Sequence, residues 1–123
     1  TKMRRFTSTG NNVGSSITYA DSANAAASFT INKAGIYTIS YTEHAQVTPY
    51  GVSLNSAQLT TNFGSITAAD RIAQAVFLSG DASNSSAHPA VFTGWLNASD
   101  VVRPHVEVDL ASTYSHFRIT RIG

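Results

Sequence analysis

The chain has 123 residues, no cysteine, 12% charged residues and a formal net charge of +1. That length suits a single domain with a real core, and a hydrophobic content of 42% excludes a disordered chain. The near-neutral balance argues against a nucleic-acid-binding domain, no apolar run approaches the ~18 residues of a membrane helix, and the lack of cysteine excludes disulfides and thiolate metal sites.

Helix formers are scarce. Leu occurs only at Leu54, Leu59, Leu78, Leu96 and Leu110, Glu at Glu43 and Glu107, and Lys at Lys2 and Lys33. Val, Ile, Thr, Tyr and Phe abound, so the single domain, residues 1–123, is expected to be all-β. Residues 1–13 are read as a possible lead-in, with a first strand over 3–9 and a turn-rich loop over 11–16. Strands follow at 17–19 and 28–31, separated by the small-residue run 23–27.

The longest strand is predicted over 35–47. Tyr37, Ile39 and Tyr41 share one face, and Ile36, Thr38, Ser40 and Thr42 the other, so one side is core. A short strand carries Val52 and Leu54, and a helical turn is expected at 67–70. The strand over 71–79 puts Ile72, Val76 and Leu78 in phase, and 80–89 reads as a loop. Strands at 90–96 and 101–110 flank a turn at 97–100, and 114–122 closes the domain. Within 101–110, Val102, Val106 and Val108 alternate with Arg103, His105, Glu107 and Asp109, the pattern of a half-exposed strand. Pro104 cannot donate to a ladder, so this strand is an edge or Pro104 sits at a non-bonded position. Many short strands between turns suggest a sandwich or jelly roll.

Enzyme signatures are missing: there is no nucleophile elbow, phosphate loop, dinucleotide fingerprint or His-Glu-x-x-His motif. His44, His88, His105 and His116 lie at no metal-ligand spacing. Catalysis, a metal and a cofactor are therefore not expected. Recognition, if present, is expected on loops and an outward strand face. The candidates are Tyr50 as an aromatic platform, Asp81 and Asn84 as hydrogen-bonding side chains, and Arg103 and His105 as partners for anionic sugars.

Residues 29–45 read Phe-Thr-Ile-Asn-Lys-Ala-Gly-Ile-Tyr-Thr-Ile-Ser-Tyr-Thr-Glu-His-Ala. This resembles the central signature of the complement one-q and tumour-necrosis-factor-like family, in which a Phe-bearing strand turns into Gly-x-Tyr and an alternating aromatic strand. Val52-Ser53-Leu54-Asn55 resembles the next strand and its Asn turn. Leu96-Asn97-Ala98-Ser99-Asp100-Val101-Val102 resembles the Leu-x-x-Gly-Asp-x-Val hairpin, with Ser99 in place of Gly, and Ser115-His116-Phe117 resembles the closing strand. The likeness spans roughly residues 14–122.

The resemblance implies a ten-stranded antiparallel jelly-roll sandwich that assembles as a homotrimeric head. It implies that strands 35–47, 90–96 and 114–122 form the inner sheet, with Phe92 and Leu96 in the core. Ile36, Thr38, Ser40, Val91, Thr93 and Trp95 then face neighbouring copies, and their lack of charge suits burial against another chain. Such heads serve recognition and adhesion. The absence of cysteine, the start at Thr1 and the end at Gly123 suit the C-terminal tip of a phage tail fibre, placed extracellularly on the virion. The expected partner is a host-surface carbohydrate, with no nucleic acid and no membrane insertion. The alternative is a structural trimerisation cap of a fibre or bacterial surface filament that binds no ligand.

Overall fold

The structure is a computed structural model and describes residues 5, 6, 8, 10–22, 26–43, 49–59, 63–75, 88–106 and 115–123. Among these, eight strands occur in chain order: β1 (Ile17–Ser22), β2 (Ala26–Ile31), β3 (Gly35–Thr42), β4 (Tyr50–Leu54), β5 (Arg71–Ala75), β6 (Ala90–Leu96), β7 (Val101–Val106) and β8 (His116–Arg121). Short 3-10 turns at Phe63–Ser65 and Ala68–Asp70 lie between β4 and β5, the second where a helical turn is expected. No described helix is long and apolar enough to cross a membrane.

The fold is all-β and antiparallel. One sheet has the order β1-β2-β7-β4-β5 and the other β6-β3-β8. The three strands that the resemblance groups together do form one sheet. Their inward residues pack with those of the larger sheet into a single core that includes Ile31, Tyr37, Ile39, Tyr41, Tyr50, Val52 and Val102.

β3 follows the predicted period-two pattern. Tyr37, Ile39 and Tyr41 are fully buried, while Ile36 is exposed and Thr38, Ser40 and Thr42 are half-buried. Burying one such side chain contributes roughly 1.5–3 kcal/mol. The buried phenols also find partners: Tyr37 donates to the Lys33 carbonyl at 2.6 Å and Tyr41 to Glu43 Oε2 at 2.7 Å.

Of the two alternatives for Pro104, the edge does not apply, because β7 lies between β2 and β4. Its pairing with β2 covers only Val101 and Val102, so Pro104 lies past the end of that ladder and interrupts no β2–β7 bond. In β5 the buried positions are Ala73 and Ala75, opposite Val52 and Tyr50, with Ile72 only half-buried. A register shift between Val52 and Ser53 sets that phase, and the bulky Tyr50 ring leaves room opposite it for only a small residue. The predicted strand at 3–9 and the ends of the predicted strands at 35–47, 71–79 and 101–110 lie largely outside the described residues; Arg5, Phe6 and Ser8 carry no strand.

The β6–β7 turn is fastened to the β4–β5 side. Asn55 adopts φ 54°, donates from Nδ2 to Asp100 Oδ1 at 2.8 Å and accepts the Val101 N–H on Oδ1 at 2.7 Å. In the same turn Ser99 has φ 75°, and its N–H bonds the Ile31 carbonyl at 2.7 Å. The left-handed region costs a non-glycine residue roughly 1–2 kcal/mol, and the extra freedom of glycine in the unfolded chain offsets about 0.4–1 of that. Ser99→Gly is therefore expected to stabilise the fold by up to ~1 kcal/mol. A higher urea midpoint at unchanged slope is the expected reading, and a lower midpoint would contradict it.

Candidate functional site

The outward face of the three-stranded sheet is the first candidate surface. Across β3 and β6 the register sets Ile36 opposite Trp95, Thr38 opposite Thr93 and Ser40 opposite Val91. The antiparallel pleat puts all six on the side away from the core. Trp95 is 61% exposed, Val91 57% and Ile36 41%, with Ile122 at 60% just beyond β8. Thr93 and Thr38 share a hydroxyl hydrogen bond of 3.4 Å, and the Trp95 indole donates to Asn97 Oδ1 at 3.1 Å. No charged side chain lies on this face within β3 or β6. Among the described strands of this sheet, charge enters on β8, where Arg118 stands opposite Ser40; His116 stands opposite Thr42.

Of the candidate residues for the second surface, the expected ligand-binding loops and strand face, only Tyr50, Arg103 and His105 lie among the described residues. Tyr50 is fully buried: its ring meets Tyr41 edge-on at 5.4 Å and its hydroxyl donates to the His88 carbonyl. Burial pushes its phenol above the ordinary value. As the first residue of β4, Tyr50 belongs to the inward phase of a strand and offers no platform. His105 is also fully buried, and Arg103 is half-buried. Asp81 and Asn84 lie outside the described residues, as do Glu107 and Asp109.

His105 does point away from the core, as its alternation predicts, but the β4–β5 connection covers it. Gly51 sits directly opposite His105, and a β-carbon at Gly51 would collide with the Phe63 ring and the Ala73 carbonyl. The missing side chain admits Phe63, whose ring lies 6.4 Å from His105. Arg71 clamps the connection through Nε to the Ile66 carbonyl at 2.8 Å and Nη2 to the Gly64 carbonyl at 2.7 Å, with its guanidinium 5.5 Å from the Phe63 ring centre. Gln58 adds bonds to Ser65 and Thr67. The signal in the sequence was Phe63 and Ile66, two bulky apolar residues within a predicted loop; both are buried.

Beneath this cover lies a polar cluster. His105 Nε2 and Ser53 Oγ are 2.6 Å apart, while His105 Nδ1 and Arg103 Nε have no hydrogen-bond partner. Burial lowers the His105 imidazole to about 4, and the Arg103 charge adds to that shift. Both members of the Ser–His pair are fully buried. A second buried polar group, Glu43, accepts hydroxyl bonds from Tyr41 and Ser115. No group of three or more potential metal ligands comes together among the described residues.

Two outcomes follow from the covered face. Gly51→Ala is expected to destabilise the fold by about 1–3 kcal/mol through overpacking against Phe63, measured by chemical denaturation. For His105 the neutral form is the buried one. From pH ~6.5 down to ~4 the unfolded chain takes up a proton that the folded chain refuses, so stability is full above pH ~6.5 and falls as the solution is acidified. The loss is expected to reach ~3 kcal/mol near pH 4. His105→Gln should flatten that part of the pH–stability curve, and an unchanged slope would assign the acid sensitivity to another group.

No family model, no curated protein and no solved structure matches this chain.

Proposed function

We propose that this domain is the homotrimeric recognition head of a fibre, a phage tail-fibre tip that binds a host-surface glycan. The observation that carries the proposal is the outward-facing, uncharged row of Ile36, Thr38, Ser40, Val91, Thr93 and Trp95 across β3 and β6, with Ile36, Val91 and Trp95 exposed. A monomeric surface strand normally alternates with charge. A face that offers aromatic and aliphatic groups without charge loses little on dehydration against a second copy. The strand order supports the same reading. With β6-β3-β8 facing β2-β7-β4-β5, the chain passes between the sheets in the manner of a jelly roll, the architecture implied by the resemblance at residues 29–45, 52–55, 96–102 and 115–117. In this reading the head works outside the cell, by binding rather than by catalysis, and the small cystine-free core gains stability from assembly.

Sedimentation at micromolar concentration is expected to give a species of three times the 13.0 kDa chain mass. Trp95→Ala should dissociate it, since a Trp anchor at an interface centre is worth at least ~2 kcal/mol. A clean monomer for the unmodified chain would overturn the assembly. A trimer that neither adsorbs to host cells nor competes with intact particles would leave the structural-cap reading in its place.

A further inference from the structure

The sandwich closes along one side, where β5 meets β6, and opens along the other. There β8 pairs, among the described strands, with β3 alone, and a groove of about 840 Å³ runs between its other edge, β1 and the segment at 10–17. Its lining includes four half-buried rings: Phe6, Tyr19, Phe29 and Phe117. They form a continuous strip, with Phe29 and Phe117 stacked at 4.3 Å, Tyr19 at 4.9 Å from Phe29, and Phe6 at 6.0 Å from Phe117. The walls are polar. Asn11 and Asn12 are exposed on one side, and His116 and Arg118 are exposed on β8.

No described carboxylate lines this groove. The nearby Asp21 is already engaged by Arg5, at 2.9 Å from both Nε and Nη2. The Arg118 guanidinium, by contrast, has no ion pair or hydrogen bond among the described residues. An aromatic strip, short amide side chains and a cation with no described carboxylate beside it form a specific combination.

We infer that the groove at the β8 edge binds an acidic oligosaccharide. Aromatic rings stack on the apolar faces of sugar rings. Asparagine amides both donate to and accept from vicinal hydroxyls. Arginine's planar fork matches a carboxylate or another oxyanion in two parallel bonds. A neutral saccharide would leave Arg118 unused. This edge of β8 also resembles an acceptor for a peptide strand, yet amides on one wall and bases on the other suit a hydroxyl-rich anion better than an apolar strand. Arg118 stands opposite Ser40 at the β8 border of the outward sheet face, two strands away from Val91 and Trp95 on β6.

This inference rests on the recognition-head reading and specifies its ligand and site. The test titrates the intact domain with uronate, sialylated, sulfated and phosphorylated oligosaccharides, each beside its neutral parent. At least one acidic member is expected to bind about tenfold or more tightly than its parent, with affinity falling as salt rises. Arg118→Gln should lose about tenfold of that affinity while sedimentation and melting stay unchanged, and Asn12→Ala should lose a smaller factor. Equal binding of neutral parents, no binding of any acidic member, or full affinity in Arg118→Gln overturns the inference. So does a peptide that adds exchange-protected amides along β8 and displaces every saccharide. Adsorption to host cells separates the two levels: a trimer that adsorbs equally well with Arg118→Gln retains the recognition head and loses this site, whereas no adsorption at all removes the head reading while oligosaccharide titration still decides the groove.

Discussion

The two-residue alternation of β3 is the constraint on which the rest depends. It is the middle strand of its sheet, paired with β6 on one side and β8 on the other, so it sets the register of both neighbours. Its inward side chains, Tyr37, Ile39 and Tyr41, fill the space under the larger sheet, and their phenols are tied to Lys33 and Glu43. A slip of one residue would turn Thr38 and Ser40 into the core and Tyr37 and Tyr41 into solvent, which strongly specifies the register. What the protein shows to the outside on this sheet is therefore the complement of what its core requires.

That complement is graded across the sheet. β6 contributes Val91 and Trp95, β3 contributes small hydroxylated side chains beside Ile36, and β8 contributes Arg118 and His116. Apolar and charged zones lie side by side on one face, apolar toward β6 and basic toward β8. A surface divided in this way favours contact with another chain at one border and contact with a charged, hydrated ligand at the other. The groove beyond β8 extends the second border around the edge of the sandwich, where the aromatic strip of Phe6, Tyr19, Phe29 and Phe117 meets solvent.

The larger sheet treats its outward face differently. Phe63 lies in the space left by Gly51, and Arg71 fastens the connection that carries it. The consequence is a second, partly polar interior on the far side of the sheet, with His105 and Ser53 fully buried. Unpartnered buried nitrogens on Arg103 and His105 make this region dependent on the cover remaining closed, because an imidazolium there would stand beside a guanidinium with no counter-ion among the described residues. The two sheets thus differ: the smaller one exposes Trp95 and Val91 on its outer face, and the larger one covers its outer face around Gly51 and His105.

Local periodicity made most of the strands and the β3 core face legible in the sequence, because alternation and turn residues act over a few neighbours, whereas the outward Trp95 row came from the family resemblance. The same rule placed Tyr50 and His105 on a ligand surface, and there it failed. The inward phase of Tyr50 follows from its partners across β4, β5 and β7, and the burial of His105 follows from a connection some forty residues away in sequence. Pro104 left two places open by local chemistry, an edge strand or a position outside a ladder, and only the strand order, with β7 inside the sheet and Pro104 past the end of the β2 ladder, decided between them. The groove at β8 draws on Phe6, Phe29 and Phe117, which no sequence spacing relates. Strand type and facing were set by the sequence through side-chain alternation; which faces are covered, and by what, was decided only by the order of strands and the path of the connections between them.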